Sequence, residues 1–182
     1  MSGVKTTQNS LLLNNLLEFY KKDDNLNSML SIINGVSPIS LRIVDWFATN
    51  YSKQYYVTYP IPNDPRFKVY NDYKLKLRAY SKRRFDPFCR WERISIPYKD
   101  NQHIQTTIGQ LNFFKWALEN KVIEYIKNHY SEIELDMNNR NSTSKRRKTI
   151  PCNKTRKKRE ELSISASKTV HREEVEIVVK FD

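Results

Sequence analysis

Apolar residues recur at helical spacing through the first third of the chain. From Ser10, which has the side chain of a helix N-cap, leucines and aromatic residues predict one helix that ends at the polar residues 21–25. Asn25 predicts the start of a second, short helix, and Gly35 fits its C-terminal stop. Ser37 and the proline after it predict the start of a third helix, because proline is favoured at the first helical position.

The middle of the chain mixes strand-like and helical patterns. The β-branched and aromatic run 55–61 predicts an edge strand or an extended loop, because the prolines at its end cannot donate a sheet hydrogen bond. The turn residues 63–65 predict the start of a helix over 66–82, and Asp86 before a proline predicts a turn after it. Alternating apolar residues predict a strand over 92–98.

Two further helices are predicted after residue 106. Thr107 followed by Gln110 is typical of a capping box, and Asn120 interrupts the helix that begins there. The broad apolar face of this helix pair favours a core scaffold, and a DNA-reading helix–turn–helix is the alternative interpretation.

The C-terminal quarter changes composition twice. Residues 136–155 are polar, basic and contain a proline, which predicts an unstructured linker. Residues 156–168 predict a short helix. Strict alternation over 175–181 predicts a strand, which we expect to pair with 93–98 or 55–60.

These elements predict an α+β fold, a mainly helical small domain with a short antiparallel sheet that includes the C-terminal strand. The 8 Phe, 11 Tyr and 3 Trp among 182 residues supply large side chains for its core. The predicted organisation is a flexible N-terminus over 1–9, a globular α+β domain over 10–139, a basic disordered loop or linker over 140–159, and a helix and strand over 160–182 that return to the domain.

The positive charge is concentrated in two segments. The chain has 32 basic and 20 acidic side chains, a net charge of +12. Residues 66–93 carry ten basic and three acidic side chains, and residues 140–159 carry ten basic and none acidic. The remainder is slightly acidic, so these two segments create a localised field that favours a polyanionic partner.

Several function classes find no support in the sequence. No stretch approaches the ~20 apolar residues of a membrane span, and the N-terminus lacks the apolar core of a signal peptide, so we expect a soluble, intracellular protein. The cysteines and histidines have no metal-ligand spacing, and three glycines leave no room for a glycine-rich phosphate cradle. Cys89 has no nearby histidine to act as its base. We therefore predict no enzyme, no catalytic residue, no metal site and no cofactor.

Two basic clusters separated by a short spacer form the clearest motif. They fit a bipartite nuclear-import signal, and equally a loop that neutralises backbone phosphates without reading sequence. A solvated linker with no partner is the alternative. The candidate nucleic-acid-binding residues here are Lys145, Arg146, Arg147, Lys148, Lys154, Arg156, Lys157, Lys158 and Arg159.

A second motif, YSKRRFDPFCRWER over 80–93, interleaves cations with aromatic residues. Single-strand binders use such cations along the phosphate backbone and such aromatic rings as stacking platforms for bases. The alternative is that the rings anchor a helix–turn–strand corner in the core, because large aromatic residues beside a proline turn usually pack inward. The candidate phosphate contacts are Lys82, Arg83, Arg84 and Arg90, and the candidate base-stacking residues are Phe85, Phe88 and Trp91.

Several segments resemble a family of uncharacterised proteins encoded by large nucleocytoplasmic DNA viruses of protists and algae. The resemblance rests on ISLRIVDWFATNYSK, FKVYNDYKLKLRAYSKRRFDPFCRWERI, TTIGQLNFFKWALENKVIEYI, RKKREELSISASK and the closing VEIVVKFD, which together cover a little under half of the chain. The family has no established activity, so the resemblance implies a viral setting and little chemistry.

The basic segments and the viral setting together predict a nucleic-acid-binding accessory protein for transcription, replication or genome packaging. The expected partner is nucleic acid, DNA in preference to RNA, with an import receptor or other viral proteins as further partners and no membrane. The expected location is the host nucleus or a cytoplasmic viral factory, with packaging in the virion as a further option. The alternative function is a protein–protein adaptor or virion scaffold whose basic loop is a nuclear-import or acidic-partner docking signal.

Overall fold

A computed structural model describes residues 8–22, 24–98, 102–148 and 171–174. The protein is an α+β domain, mainly helical, with two short antiparallel sheets. The described helices are α1 (Gln8–Lys21), α2 (Asn25–Ile33), α3 (Leu41–Trp46), α4 (Ser52–Gln54), α5 (Val69–Phe85), α6 (Ile108–Glu119), α7 (Val122–Asn128) and α8 (Tyr130–Lys148). A π-helical segment, Phe47–Tyr51, joins α3 to α4.

The first sheet is a hairpin of β1 (Thr58–Ile61) and β2 (Asp64–Lys68). The second sheet has the order β3 (Arg93–Tyr98), β4 (Gln102–Thr107) and β5 (His171–Glu174), with Ile96 of β3 opposite Ile104 of β4. The predicted fold class is therefore confirmed, including a C-terminal strand in the sheet. The described strand β5 pairs with β4, with Gln105 opposite His171. The strand predicted over 175–181, and its expected pairing with 93–98 or 55–60, lie outside the described residues.

The core is built around α6, which is buried along nearly its whole length. Phe113 and Phe114 are fully buried, and the rings of Tyr73, Phe85 and Trp116 pack around Phe113. A helix buried along nearly its whole length belongs in a protein interior, so the scaffold interpretation of this segment is confirmed.

Local capping signals predicted several helix ends correctly. The Thr107 hydroxyl accepts a hydrogen bond from the Gln110 backbone N–H at 3.1 Å, which caps α6, and Asn120 follows its last residue. Gly35 has φ of +73° after the end of α2, the left-handed conformation that glycine adopts without strain. The third helix begins at Leu41, capped by Ser40, and not at the predicted Ser37.

Two predictions about element type were wrong. Residues 64–68 form β2, not the first turn of a helix, because their backbone pairs with β1 and Phe67 is buried against the core. Residues 136–148 belong to α8, so the predicted linker and disordered loop are incorrect as far as Lys148. Ile133 and Met137, one turn apart, bury their side chains and fix the start of this polar helix to the body.

The remaining terminal predictions lie outside the described residues. These are the flexible start of the chain as far as residue 7, the loop over 149–159, the helix over 156–168 and the strand over 175–181. Residues 8 and 9, predicted to be flexible, form the start of α1.

Candidate nucleic-acid interface

The segment 80–93 begins with a break in α5. Ser81 has φ of 66° and ψ of 166°, a conformation that is almost restricted to glycine. The chain becomes helical again over 82–85 and then leaves the helix at Asp86, whose carboxylate accepts a hydrogen bond from the Phe88 N–H at 2.9 Å. The break turns the basic residues 82–84 away from the path that a continuous helix would give them.

The three candidate stacking residues have different environments. Phe85 is 0% exposed and packs edge-on against Phe113 and Trp116, so it is a core anchor and its predicted role as a base platform is wrong. Phe88 is half-buried and packs against the same core. Trp91 is 52% exposed, so its ring is the one of the three that offers a large open surface.

The predicted phosphate contacts lie beside this ring. The Arg83 guanidinium lies 4.2 Å from the centre of the Trp91 ring, a cation–π contact between the two side chains. Arg84 donates a hydrogen bond from Nη1 to Oε1 of Gln8 at 3.3 Å. Lys82 and Arg90 are exposed on the same segment.

Arg83 and Trp91 form part of a cleft with a volume of about 280 Å³, which we call the Arg83–Trp91 cleft. Helix α1 contributes one wall, the break in α5 another and the first residue of α6 a third. Glu92, like Ser81, has a positive φ, of 43°. The lining residues are Asn9, Ser81, Arg83, Arg84, Trp91, Glu92 and Ile108.

The cleft depends on a close contact between α5 and α6. A Cβ added at Gly109 would lie 2.8 Å from the carbonyl oxygen of Asp86 and 3.1 Å from that of Arg83, so glycine permits this approach. Asn112 then donates a hydrogen bond from Nδ2 to the carbonyl oxygen of Arg84 at 2.9 Å. These contacts fix the backbone that carries both arginines.

The cations of the segment 82–90 form no ion pair with a carboxylate of the described residues. This holds for Lys82, Arg83, Arg84 and Arg90, whereas Lys115, Lys121 and Arg140 each have a carboxylate within ion-pair distance. An exposed cation without an internal partner can exchange its hydration shell for a phosphate.

Further basic residues lie on α5 before the break. Lys74 and Arg78 are four residues apart and Tyr70 is four residues before Lys74, so the three share one face of the helix. Lys53 and Lys74 both lie over the Tyr70 ring, at 5.6 and 5.8 Å. The exposure of Lys74 and Arg78 cannot be deduced from the sequence, because apolar and basic residues alternate along α5 without a clear helical period.

The other candidate residues lie at or beyond the end of α8. Lys145, Arg146, Arg147 and Lys148 form its last turn, at the negative end of the helix dipole, where cations are favoured. Lys154, Arg156, Lys157, Lys158 and Arg159 lie outside the described residues. Along the part of the chain that the structure describes, the two basic groups are therefore carried by different helices.

One carboxyl group beneath this region has an altered pKa. Burial, and secondarily the negative charge of Asp86, raise the pKa of Asp45 to about 7. Burial, followed by the charges of Asp45 and Asp86, also raises the pKa of the Tyr73 hydroxyl. A neutral Asp45 below that pH avoids repulsion with Asp86 at the turn that leads to Arg90.

The described residues form neither a metal-binding cluster nor a membrane-spanning helix. No three or more His, Cys, Asp or Glu side chains in those ranges are grouped so as to hold a metal ion. None of the described helices combines the length and apolar character needed to cross a bilayer.

Comparison with known proteins identifies the family of the chain, but the family and the relative it matches are described without a function. A relative from Acanthamoeba polyphaga mimivirus, "Uncharacterized protein L507", is 44% identical over 129 residues, which are 66% of this chain and 50% of the relative. The chain thus matches about half the length of that protein, and the expected resemblance to a giant-virus family is confirmed. No solved structure is significantly similar to the chain. The family model described as "Family of unknown function (DUF7197)" matches residues 3–181, and the chain therefore belongs to this family.

Proposed function

We propose that this protein is a viral nucleic-acid-binding accessory protein that contacts phosphate backbones. The observation that carries the proposal is the group of cations at 82–84 and 90, of which Lys82, Arg83 and Arg90 are exposed. In the described part of the chain these cations have no carboxylate partner, although 20 acidic residues are present in the sequence. A surface that leaves so many cations unpaired is suited to an external polyanion.

The last turn of α8 supports the same proposal. Four consecutive basic residues, Lys145–Lys148, repel one another when they are unpaired. A phosphate backbone would relieve that repulsion and release its own counterions on binding. Binding of this kind positions the protein and carries no sequence information, so we expect weak sequence specificity.

Fluorescence anisotropy of labelled nucleic acid at several salt concentrations tests the proposal. Duplex DNA, single-stranded DNA and RNA of equal length are titrated with the full chain. We expect a steep fall of affinity with salt, by a log–log slope of about 0.9 for each phosphate contact on duplex DNA. We expect DNA to be bound in preference to RNA.

Variants that remove charge at the site or elsewhere distinguish binding at a local site from a general effect of the protein's net charge. Lys82, Arg83 and Arg90 are changed to glutamine in one variant, and Lys145–Lys148 in a second. A control variant removes the same charge as the first from exposed lysines elsewhere, at Lys21, Lys22 and Lys127. The two site variants should weaken binding to every sequence and flatten the salt dependence, while the control should keep most of both.

Equal losses in the control and the first site variant would show that only net charge matters. Absence of binding to all three nucleic acids at low salt would overturn the proposal.

The alternative proposal is a protein–protein adaptor or virion scaffold. It is favoured by two exposed aromatic side chains, Tyr55 and Tyr56, which are 55% and 86% exposed. The Tyr55 hydroxyl donates a hydrogen bond to Asp136 of α8. Adaptors use such aromatic surfaces as anchors. A fluorescent fusion in which the α8 basic turn alone directs nuclear import, from a chain that binds no nucleic acid, would support this function.

A further inference from the structure

We infer that the Arg83–Trp91 cleft binds one unpaired nucleotide, with its phosphate at Arg83 and Arg84 and its base against Trp91. The inference deepens the proposed function, on which it rests, because a single strand would supply that nucleotide. It is carried by the size, the charge and the mixture of hydrogen-bonding groups in the cleft.

The contact between Arg83 and Trp91 leaves the functional parts of both side chains available. A guanidinium held over a ring by a cation–π contact can still direct N–H groups at two oxygens of a phosphate. The Arg83 guanidinium lies 4.2 Å from the ring centre and Arg83 is exposed, so Trp91 positions the side chain without enclosing it. Trp91 is 52% exposed even with Arg83 beside it, so part of the indole remains open to a base.

The cleft also contains an acceptor, which favours a nucleotide over a simple anion. Glu92 lies on the lining together with Arg83, Arg84 and Trp91. A carboxylate repels a small anion, whereas the amino and imino groups of a base can donate hydrogen bonds to it.

The charge and volume fit one nucleotide of a chain. Two arginines and one glutamate give the lining a net charge of +1, which balances the single negative charge of a phosphodiester. A volume of about 280 Å³ lies at the lower limit of small-molecule sites, so it admits one nucleotide and excludes a duplex. The base of a paired nucleotide is covered by its neighbours, so the strand must be single or locally opened.

The backbone of the cleft is strained where the ligand would lie. The described chain has four non-glycine residues with positive φ, namely Tyr56, Ser81, Glu92 and Lys121. Two of them, Ser81 and Glu92, line this one cleft and flank Arg83 and Trp91 in sequence. Such strain persists where the surrounding structure holds side chains in a required geometry.

Titration of the full chain with small ligands tests the inference. Trp91 is the most exposed of the three tryptophans, since Trp116 is 3% exposed and Trp46 is half-buried, so quenching by a stacked base reports chiefly on Trp91. Deoxyadenosine 5′-monophosphate, deoxyadenosine and inorganic phosphate are compared by fluorescence and calorimetry. We expect the nucleotide to bind at least about tenfold more tightly than either fragment, since both halves of the cleft contribute.

Variants locate the binding. Arg83→Gln and Arg84→Gln should each weaken nucleotide binding about tenfold, as loss of a charge-assisted contact does. The matched control is Arg66→Gln, which removes an exposed arginine of β2 that does not line the cleft. Circular dichroism shows that each variant is folded. Equal binding of nucleotide and phosphate, or equal effects of the Arg83 and Arg66 changes, would overturn the inference.

Measurements of oligonucleotide binding distinguish failure of this inference from failure of the proposed function. In the variant with Lys145–Lys148 neutralised, we expect single strands to bind more tightly than duplexes of the same length. Salt-dependent polymer binding without any response to the mononucleotide would overturn the inference and leave the proposed function standing. Mononucleotide binding without polymer binding would keep the cleft as a nucleotide site and overturn the proposed function.

Discussion

The indole Nε1 of Trp46 donates a hydrogen bond to Oδ2 of Asp136 at 2.9 Å, and this contact joins α3 to α8 across 90 residues of sequence. Nε of Arg140 lies 3.2 Å from the other carboxylate oxygen, and its guanidinium lies 5.7 Å from the centre of the Trp46 ring. These three side chains hold α8 one turn after Ile133 enters the core. They determine where the basic end of the helix leaves the domain.

We expect Asp136→Ala to lower the free energy of unfolding by about 1–3 kcal/mol, because it leaves the half-buried Trp46 N–H without its acceptor. Chemical denaturation measures the change. The exposed neighbour Asn138, on the same helix, serves as the control, and Asn138→Ala should change stability by less than about 0.5 kcal/mol. Similar values for the two variants would mean that the contact does not stabilise α8.

The contact between α5 and α6 yields a second prediction. Gly109→Ala places a methyl group 2.8 Å from the Asp86 carbonyl oxygen, and backbone atoms on both sides leave no side chain to move aside. We expect a loss of about 1–3 kcal/mol on thermal or chemical unfolding, as for other overpacked sites. The comparison is Gly35→Ala, where the space is open and only the φ of +73° opposes alanine, at a cost of about 1 kcal/mol. An unchanged stability of Gly109→Ala would contradict the tight packing described for the cleft.

The sequence predicted best the features that depend on neighbours along the chain. The cap at Thr107, the stop at Gly35 and the turn at Asp86 each follow from two to four consecutive residues. The strand over 64–68 was missed because its formation depends on pairing with β1, which overrides the helix-start signal of residues 63–65.

The helix over 136–148 was missed for a related reason. Its composition is that of a linker, with little apolar surface. Two buried side chains, Ile133 and Met137, together with the Trp46–Asp136 contact, supply the tertiary stabilisation that the composition lacks.

The candidate site was predictable in part. The cations of 82–90 were identified from their spacing, but the sequence could not tell which aromatic ring faces outward, because that depends on how α6 packs beneath Phe85. Asn9 enters the cleft from a helix more than seventy residues away, and nothing in its own surroundings marks it. The strain at Ser81 is likewise visible only in three dimensions.

The raised pKa of Asp45 makes stability depend on pH. Asp45 titrates near 7 when folded and near ~3.9 when unfolded, so between these values the folded state retains a proton that the unfolded state has lost. This contribution to stability is complete below pH ~4 and is lost as the pH rises through 7. We expect Asp45→Asn to be more stable than the wild type at pH 8, by about 1–2 kcal/mol for this half-buried group, and equal to it at pH 4. Unfolding curves at the two pH values measure this, and a constant difference between them would exclude Asp45 as the titrating group.

Ser81 provides the clearest test of whether strain is maintained for binding. Its φ of 66° and ψ of 166° cost a serine about 1–3 kcal/mol, whereas glycine adopts these angles freely. Glycine also makes the unfolded chain more flexible, which offsets part of this gain. Ser81→Gly should therefore stabilise the protein by about 1 kcal/mol. Ala79→Gly, two residues earlier in the regular part of α5, introduces the same residue and should destabilise by about 1 kcal/mol. The Ser81 variant should also bind the mononucleotide several-fold more weakly, because Arg83 then follows a backbone with more freedom. If both glycine variants lose stability alike, Ser81 is not strained and the cleft is not pre-organised at this residue.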